Sequence, residues 1–211
     1  MERKRRRKQR GKQHPDHDQL FSLASQQAGY FTAEQATDSR FSRPLLFHHA
    51  RQGTFMRVRR GLYRLARFPG SQHEEIVAAW LALDPKKAAV SHESALQIFD
   101  LADVVPTTIH LTAPRSKRSR KPPPGVKIHT VKEALTRRET VVRHGVRVTT
   151  PARSIADSAA YGTAPEQVAR AAREALRRGL ATRSELLAAG RRHGGRPGQL
   201  IRQAVAEVRA G

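Results

Sequence analysis

Between Phe55 and Gly70 the chain reads FMRVRRGLYRLARFPG, and this stretch restricts the fold more than any other. Met56 and Val58 alternate with Arg57 and Arg59, and Tyr63 and Leu65 flank Arg64. A period of two belongs to a β-strand, whose successive side chains point to opposite faces. Gly61 supplies the permissive backbone that a short hairpin loop demands. The stretch is therefore expected to be a hairpin with Met56 and Val58 turned inward. Its outer face carries arginine and no other polar residue.

The same bias runs through the whole chain. Lys and Arg number 40 against 18 Asp and Glu, a formal net charge of +22. A globular chain so unbalanced repels itself unless a polyanion neutralises it. Nucleic acid is the leading partner class and an anionic membrane surface the weaker one. No apolar run approaches the roughly 18 residues of a membrane span. The basic N-terminus has no apolar stretch behind it, so it does not read as a secretory signal. With no cysteine, disulfides, thiolate zinc sites and thiol nucleophiles are excluded, and a cytoplasmic location fits. The 211 residues suit one large or two small domains, and 5% aromatic content predicts small aliphatic cores.

Eight of the ten residues Arg3 to Lys12 are basic. Residues 1–15 are expected to form a disordered arm that lies along phosphates. A helix is expected from about Asp16 to Ala28, with Leu20, Leu23, Ala24 and Ala28 at helical spacing and Gly29 as its stop. Thr32 and Gln35 form a capping box for a short second helix ending near Thr37, and Asp38 and Ser39 make the turn. Ser42 caps a third helix, which tolerates Pro44 in its first turn, runs through Arg51 and ends before Gly53. Leu46, His49 and Ala50 face inward on it; Arg43, Phe47, His48 and Arg51 face outward. Three short helices, a tight turn and a hairpin spell a winged helix-turn-helix over residues 16–70. The third helix would enter the major groove and the hairpin would be the wing. Ser42, Arg43, Phe47, His48 and Arg51 are the expected groove and phosphate contacts, and Arg57, Arg59, Arg60 and Arg64 those of the wing.

Residues 71–211 read as a mixed α and β domain with a helical end, so the fold class is α+β. Helices are expected over Glu74 to Leu83, after the cap residue Ser91, and after Thr150 with Pro151 in first position. Two or three more close the chain, over Pro165–Arg178, Arg183–Ala189 and Gln199–Val208, with Thr182 and Glu185 as a capping box. TTIHLTAP reads as a strand with Ile109 and Leu111 inward, VKIHTV as a second, and ETVVRHGVRVTT as two more around His144-Gly145. Between the first two strands, Arg115 to Lys121 holds five basic residues of seven. It is either a solvated connection or a second phosphate-contacting patch.

Catalytic residues are not apparent. A metal-dependent nuclease needs clustered carboxylates with a lysine nearby. The chain's one Glu-x-Lys, Glu2-Arg3-Lys4, stands at the head of the basic run with no other carboxylate beside it, and Asp84-Pro85-Lys86 stands at a helix end without acidic partners. A nucleotidyltransferase would need a paired Asp-x-Asp after Gly70-Ser71, but Lys86 occupies the second position. His48 and His49 point to different faces of their helix, and no His-x-x-x-His pair stands on one face with an acidic neighbour. His92 reads as a capping or packing residue at a helix start. Asp157 reads as the helical-spacing partner of Arg153. No enzyme activity, metal or cofactor is therefore expected.

Several stretches in order carry a resemblance. GYFTAEQA is followed by SRPLLFHHARQGTFMRVRRGLYRL, then VSHESALQIFDL with a strand ending TIHLTAP, then GVRVTTPARSIADSAA. The set, covering roughly Gln19 to Ala160, resembles the AbiEi antitoxins of type IV toxin–antitoxin systems. The resemblance implies a bacterial cytoplasmic repressor whose winged helix binds an operator in its own promoter. It also implies a C-terminal domain that counters a nucleotidyltransferase-like toxin from a neighbouring gene without a stable complex. The turn TDSRFS departs from the family's pattern, which often has glycine there. Outside that resemblance, an RNA- or ribosome-associated basic protein is the alternative, and a winged-helix-fused nuclease a more distant one.

Overall fold

The computed structural model describes residues 14–101, 106–115 and 122–207, which fall into two units divided between Ser71 and Gln72. The basic run Arg3 to Lys12, and all of the Arg115–Lys121 loop beyond Arg115, lie outside the described residues.

The first unit is a winged helix-turn-helix built in the order α1 (His17–Gln26), β1 (Tyr30–Thr32), α2 (Ala33–Asp38), α3 (Arg43–Arg51), β2 (Phe55–Arg59) and β3 (Leu62–Leu65). Side-chain caps set the helix starts. Asp16 accepts the Gln19 N–H at 2.9 Å, and Ser42 accepts the Leu45 N–H at 3.3 Å. Thr32 and Gln35 satisfy each other's backbone N–H at 3.1 and 2.8 Å, the capping box the sequence announces. Leu20, Ala24, Phe31, Ala36, Phe41, Leu46 and Phe55 make the core. Phe31 is central to it, stacked on Tyr63 at 5.8 Å and edge-on to Phe55 at 5.0 Å.

The three strands are antiparallel in the order β1-β3-β2. β1 is only three residues long, too short to show a period, and the sequence reading passes over it. At the hairpin turn the Gly61 carbonyl accepts the Ala33 N–H at 2.9 Å, which fastens the turn to the start of α2. One expectation fails here. Met56 and Val58 do not turn inward; they are 52% and 42% exposed. The register pairs Phe55, Met56 and Arg57 with β3, then skips Val58 to pair Arg59 with Leu62. The hairpin is bulged, and β2, at the edge of the sheet, buries only Phe55, whereas Leu62 of β3 is buried.

Between α2 and α3, Arg40 adopts φ +66°, the left-handed conformation that a glycine would hold without strain. Gly29 is a stricter case. It sits at φ +83°, and a Cβ there would meet the Phe68 Cβ at 2.6 Å. Gly29→Ala is expected to destabilise this unit by about 2–4 kcal/mol through combined backbone strain and overpacking. Hydrogen exchange of segment 17–65 in the full chain measures it, and unchanged protection would refute the clash.

The second unit runs α4 (Glu74–Leu83), β4 (Ala89–Val90), α5 (His92–Ile98), β5 (Ile109–Pro114), β6 (Val126–Val131), β7 (Thr140–Arg143), β8 (Val146–Thr149), α6 (Pro151–Tyr161), α7 (Pro165–Arg177), α8 (Arg183–His193) and α9 (Gly195–Glu207). Its five strands lie in the order β6-β5-β4-β8-β7. β5 with β6 and β4 with β8 are parallel; the other neighbours are antiparallel. Leu111, Val126 and Ile128 line one face of the sheet with Ala79 and Leu83 of α4. His110 and Thr112, on the opposite face of β5, are buried as fully as Leu111. That burial exceeds the alternation read from the sequence, because helices cover both faces of this strand. Thr182 and Glu185 form their capping box. Ser91 and Thr150 stand at N-cap positions without a side-chain cap bond. The Ser91 hydroxyl instead meets Thr112 and His92. α8 continues past Ala189 to His193, and α9 begins at Gly195, with left-handed Gly194 making the corner.

Candidate nucleic-acid interface

α3 divides as its sequence pattern dictates. Leu46 is buried, and His49 packs against Phe55 and Phe41 with ring centroids 4.8 and 5.8 Å apart. Burial lowers the pKa of His49, with His17 and His48 adding to the effect. Arg43, Phe47, His48 and Arg51 stand in solvent on the other face, with Phe47 61% exposed. The Arg51 guanidinium lies over the Phe47 ring at 5.9 Å. Ser42 is exposed at the N-terminus of the helix, its hydroxyl already holding the Leu45 N–H.

On the wing, Arg57, Arg59 and Arg60 are exposed together with Met56 and Val58. Arg64 is placed differently. It is half-buried, donates from Nη2 to the Pro69 carbonyl at 3.1 Å and lies over the Tyr30 ring at 5.5 Å. It fastens the segment leaving β3 to the base of the sheet. The charge distribution within residues 14–71 is one-sided. Every acidic residue there, Asp16, Asp18, Glu34 and Asp38, belongs to α1, to α2 or to the residue capping α1. Among the described residues, no carboxylate pairs with Arg43, Arg51, Arg57, Arg59 or Arg60. An α-helix and a ribbon bearing free guanidinium groups and some apolar surface can meet phosphates, base edges and thymine methyl groups.

Residues 18–66 match the AbiEi antitoxin family, described as transcriptional regulators. The match ends at Ala66, so it covers the AbiEi-type winged helix and none of the second unit. No curated protein matches the chain. Among solved structures, the crystal structure of the RV2827C protein from Mycobacterium tuberculosis is similar at 14% identity and a TM-score of 0.47. That likeness covers 90% of this chain and 75% of that one. Among the described residues, no helix is long and apolar enough to cross a membrane.

The unit that follows the winged helix holds two side-chain groups, of which the sequence spacing brings together only the Arg153–Asp157 pair. In the first, Arg153 donates to Asp157 at 3.2 Å and pairs with Glu139, while His193 bonds Asp157 at 2.8 Å. Burial pushes the Asp157 carboxyl up, but the His193 bond and the Arg153 charge outweigh it and hold its pKa below the ordinary value. In the second, His92 from the start of α5, His110 from β5 and His129 from β6 converge. The His92 and His129 rings stack at 3.6 Å, His110 Nδ1 lies 2.9 Å from His129 Nε2, and Tyr161 sets its ring edge-on to all three. The parallel register of β5 and β6 puts His110 opposite Lys127, so His129 is its diagonal neighbour on the same face. His92 reaches the pair from a left-handed backbone, φ +52°, at the first turn of α5. The only signal in the sequence was a histidine at the middle of each of two strands and one directly after a buried serine.

Proposed function

We propose that this protein is a sequence-specific DNA-binding repressor of its own promoter, acting as the antitoxin of a type IV toxin–antitoxin pair in the cytoplasm. One observation carries the DNA-binding part: unpaired arginines crowd α3 and the wing while all nearby carboxylates lie on the other helices. In this reading Arg43, Phe47, His48 and Arg51 enter the major groove. Ser42 and the wing's Arg57, Arg59 and Arg60 contact phosphate or the adjacent minor groove, and Arg64 holds the wing's base in position. A bidentate arginine–guanine pair gives about 1–3 kcal/mol of discrimination, whereas phosphate contacts give affinity without sequence information. The match to AbiEi regulators supports the antitoxin part, in which the second unit counters a nucleotidyltransferase-like toxin encoded next door without a stable complex.

The test is competition. The protein is bound to its own upstream DNA and challenged with random duplex and with structured RNA. Stronger retention on the upstream DNA is expected; equal displacement by all three would remove the repressor reading and favour a general RNA or nucleic-acid binder. With about six phosphates neutralised, log affinity should fall against log salt with a slope near about −5. A slope near zero would contradict the electrostatic account. For the antitoxin part, co-expression with the neighbouring toxin is expected to restore growth, and growth arrest despite the second unit would overturn it.

A further inference from the structure

We infer that His92, His110 and His129 form a binding site for one divalent transition-metal ion of the Zn²⁺ class, with a coordination position left for water or an incoming ligand. The three can offer one ring nitrogen each, all within 4.8 Å of one another. Tetrahedral zinc with imidazole ligands brings those nitrogens to about 3.4 Å apart, so a small contraction suffices. The contraction requires the His110–His129 hydrogen bond to open and the stacked rings to turn about their Cβ–Cγ bonds. The surroundings favour this over a purely structural cluster. His92 Nδ1 lies 2.9 Å from the Ser91 hydroxyl, which itself accepts from Thr112 at 2.8 Å. With Nδ1–H donating to Ser91, the Nε2 lone pair of His92 is fixed and free, which is how outer-shell partners orient metal-bound histidines.

The chemistry of the donors agrees. Asp157 acts on both rings with its negative charge, opposed by the positive charges of Arg153 at His92 and Lys127 at His129. An all-nitrogen donor set suits Zn²⁺, Co²⁺ or Ni²⁺ and does not suit Mg²⁺ or Ca²⁺, which take oxygen. Three protein ligands with an open fourth position is the arrangement of zinc sites that bind water or substrate, as opposed to closed structural sites. The half-exposed Tyr161 closes the group on one side only.

The experiment uses the tag-free full chain. Titration with Co²⁺ is expected to give the intense visible absorption of a four-coordinate site, saturating at one equivalent and displaced by Zn²⁺. His92→Ala and His129→Gln are expected to weaken Zn²⁺ binding by more than about 100-fold, and Ser91→Ala by about 10–100-fold. The variant His14→Ala, at an exposed residue outside the cluster, should bind as the parent does. Failure of the parent chain to bind, or binding unmoved by His92→Ala and His129→Gln, overturns the site. If those variants fail to fold by circular dichroism, X-ray absorption of the Zn²⁺-loaded parent decides. A shell with three imidazole nitrogens supports the proposal, and fewer than three overturns it.

Discussion

Replacing Arg57, Arg59 and Arg60 together by alanine is expected to lower affinity for duplex DNA on the order of 10²-fold at physiological salt, with little change in stability. The separation of the two effects follows from where these side chains stand. All three are exposed, on the edge strand β2 and its turn, and none has a carboxylate partner among the described residues. Surface substitutions of this kind usually move stability by no more than about 0.5 kcal/mol. Each phosphate contact removed should make the salt slope shallower by about one unit, from near about −5 to about −2. Arg64→Ala should behave in the opposite way, because its guanidinium holds the Pro69 carbonyl and covers Tyr30. It is expected to loosen the domain while leaving the slope nearly as it was. Filter binding across a salt series and thermal denaturation read both quantities. A triple variant with unchanged affinity and slope would remove the wing from the interface.

The second large effect is expected at Asp157. Its carboxylate and the Arg153 guanidinium are only 8% and 15% exposed, and Arg153 also reaches Glu139 while His193 closes on Asp157 from the end of α8. Removing Asp157 leaves Arg153 still paired with Glu139 but strips the bonds it makes to Arg153 Nε and His193, and buried polar groups left without a partner cost about 1–3 kcal/mol. Asp157→Ala should therefore destabilise the second unit by that order. Asp157→Asn, which keeps a hydrogen-bonding oxygen for Arg153, should cost less. Trp80 is the chain's single tryptophan, is buried in α4 and donates to the Ala88 carbonyl at 3.0 Å, so its fluorescence reports unfolding of this unit. A shift below about 0.5 kcal/mol for Asp157→Ala would show that the network contributes little.

The winged helix was legible because its information is local. Asp16, Thr32 with Gln35, and Ser42 announce helix starts through bonds made within three residues of themselves. The outward set Arg43, Phe47, His48 and Arg51 followed from helical period alone. The Arg153–Asp157 pair was legible for the same reason, at one helical turn. Illegible features were non-local or too short. β1 and β4 have three and two residues, below any detectable period. Met56 and Val58 alternate as if one face were covered, but coverage depends on where the helices stop. Ser91 has the residue type of a cap, yet its hydroxyl is engaged by Thr112, 21 positions away. The histidine cluster needs the parallel pairing of β5 with β6 and the approach of α5, and neither is written in residue spacing.

The tie between the Gly61 carbonyl and the Ala33 N–H has a thermodynamic consequence. It anchors the far end of the hairpin to α2 while β3 is paired along both edges, by β1 and by β2. The backbone beneath Arg57 to Arg60 thus loses its freedom when the domain folds, before any polyanion arrives. Only rotamers of the long side chains remain to be ordered on docking, so a smaller entropic penalty is left for the encounter itself.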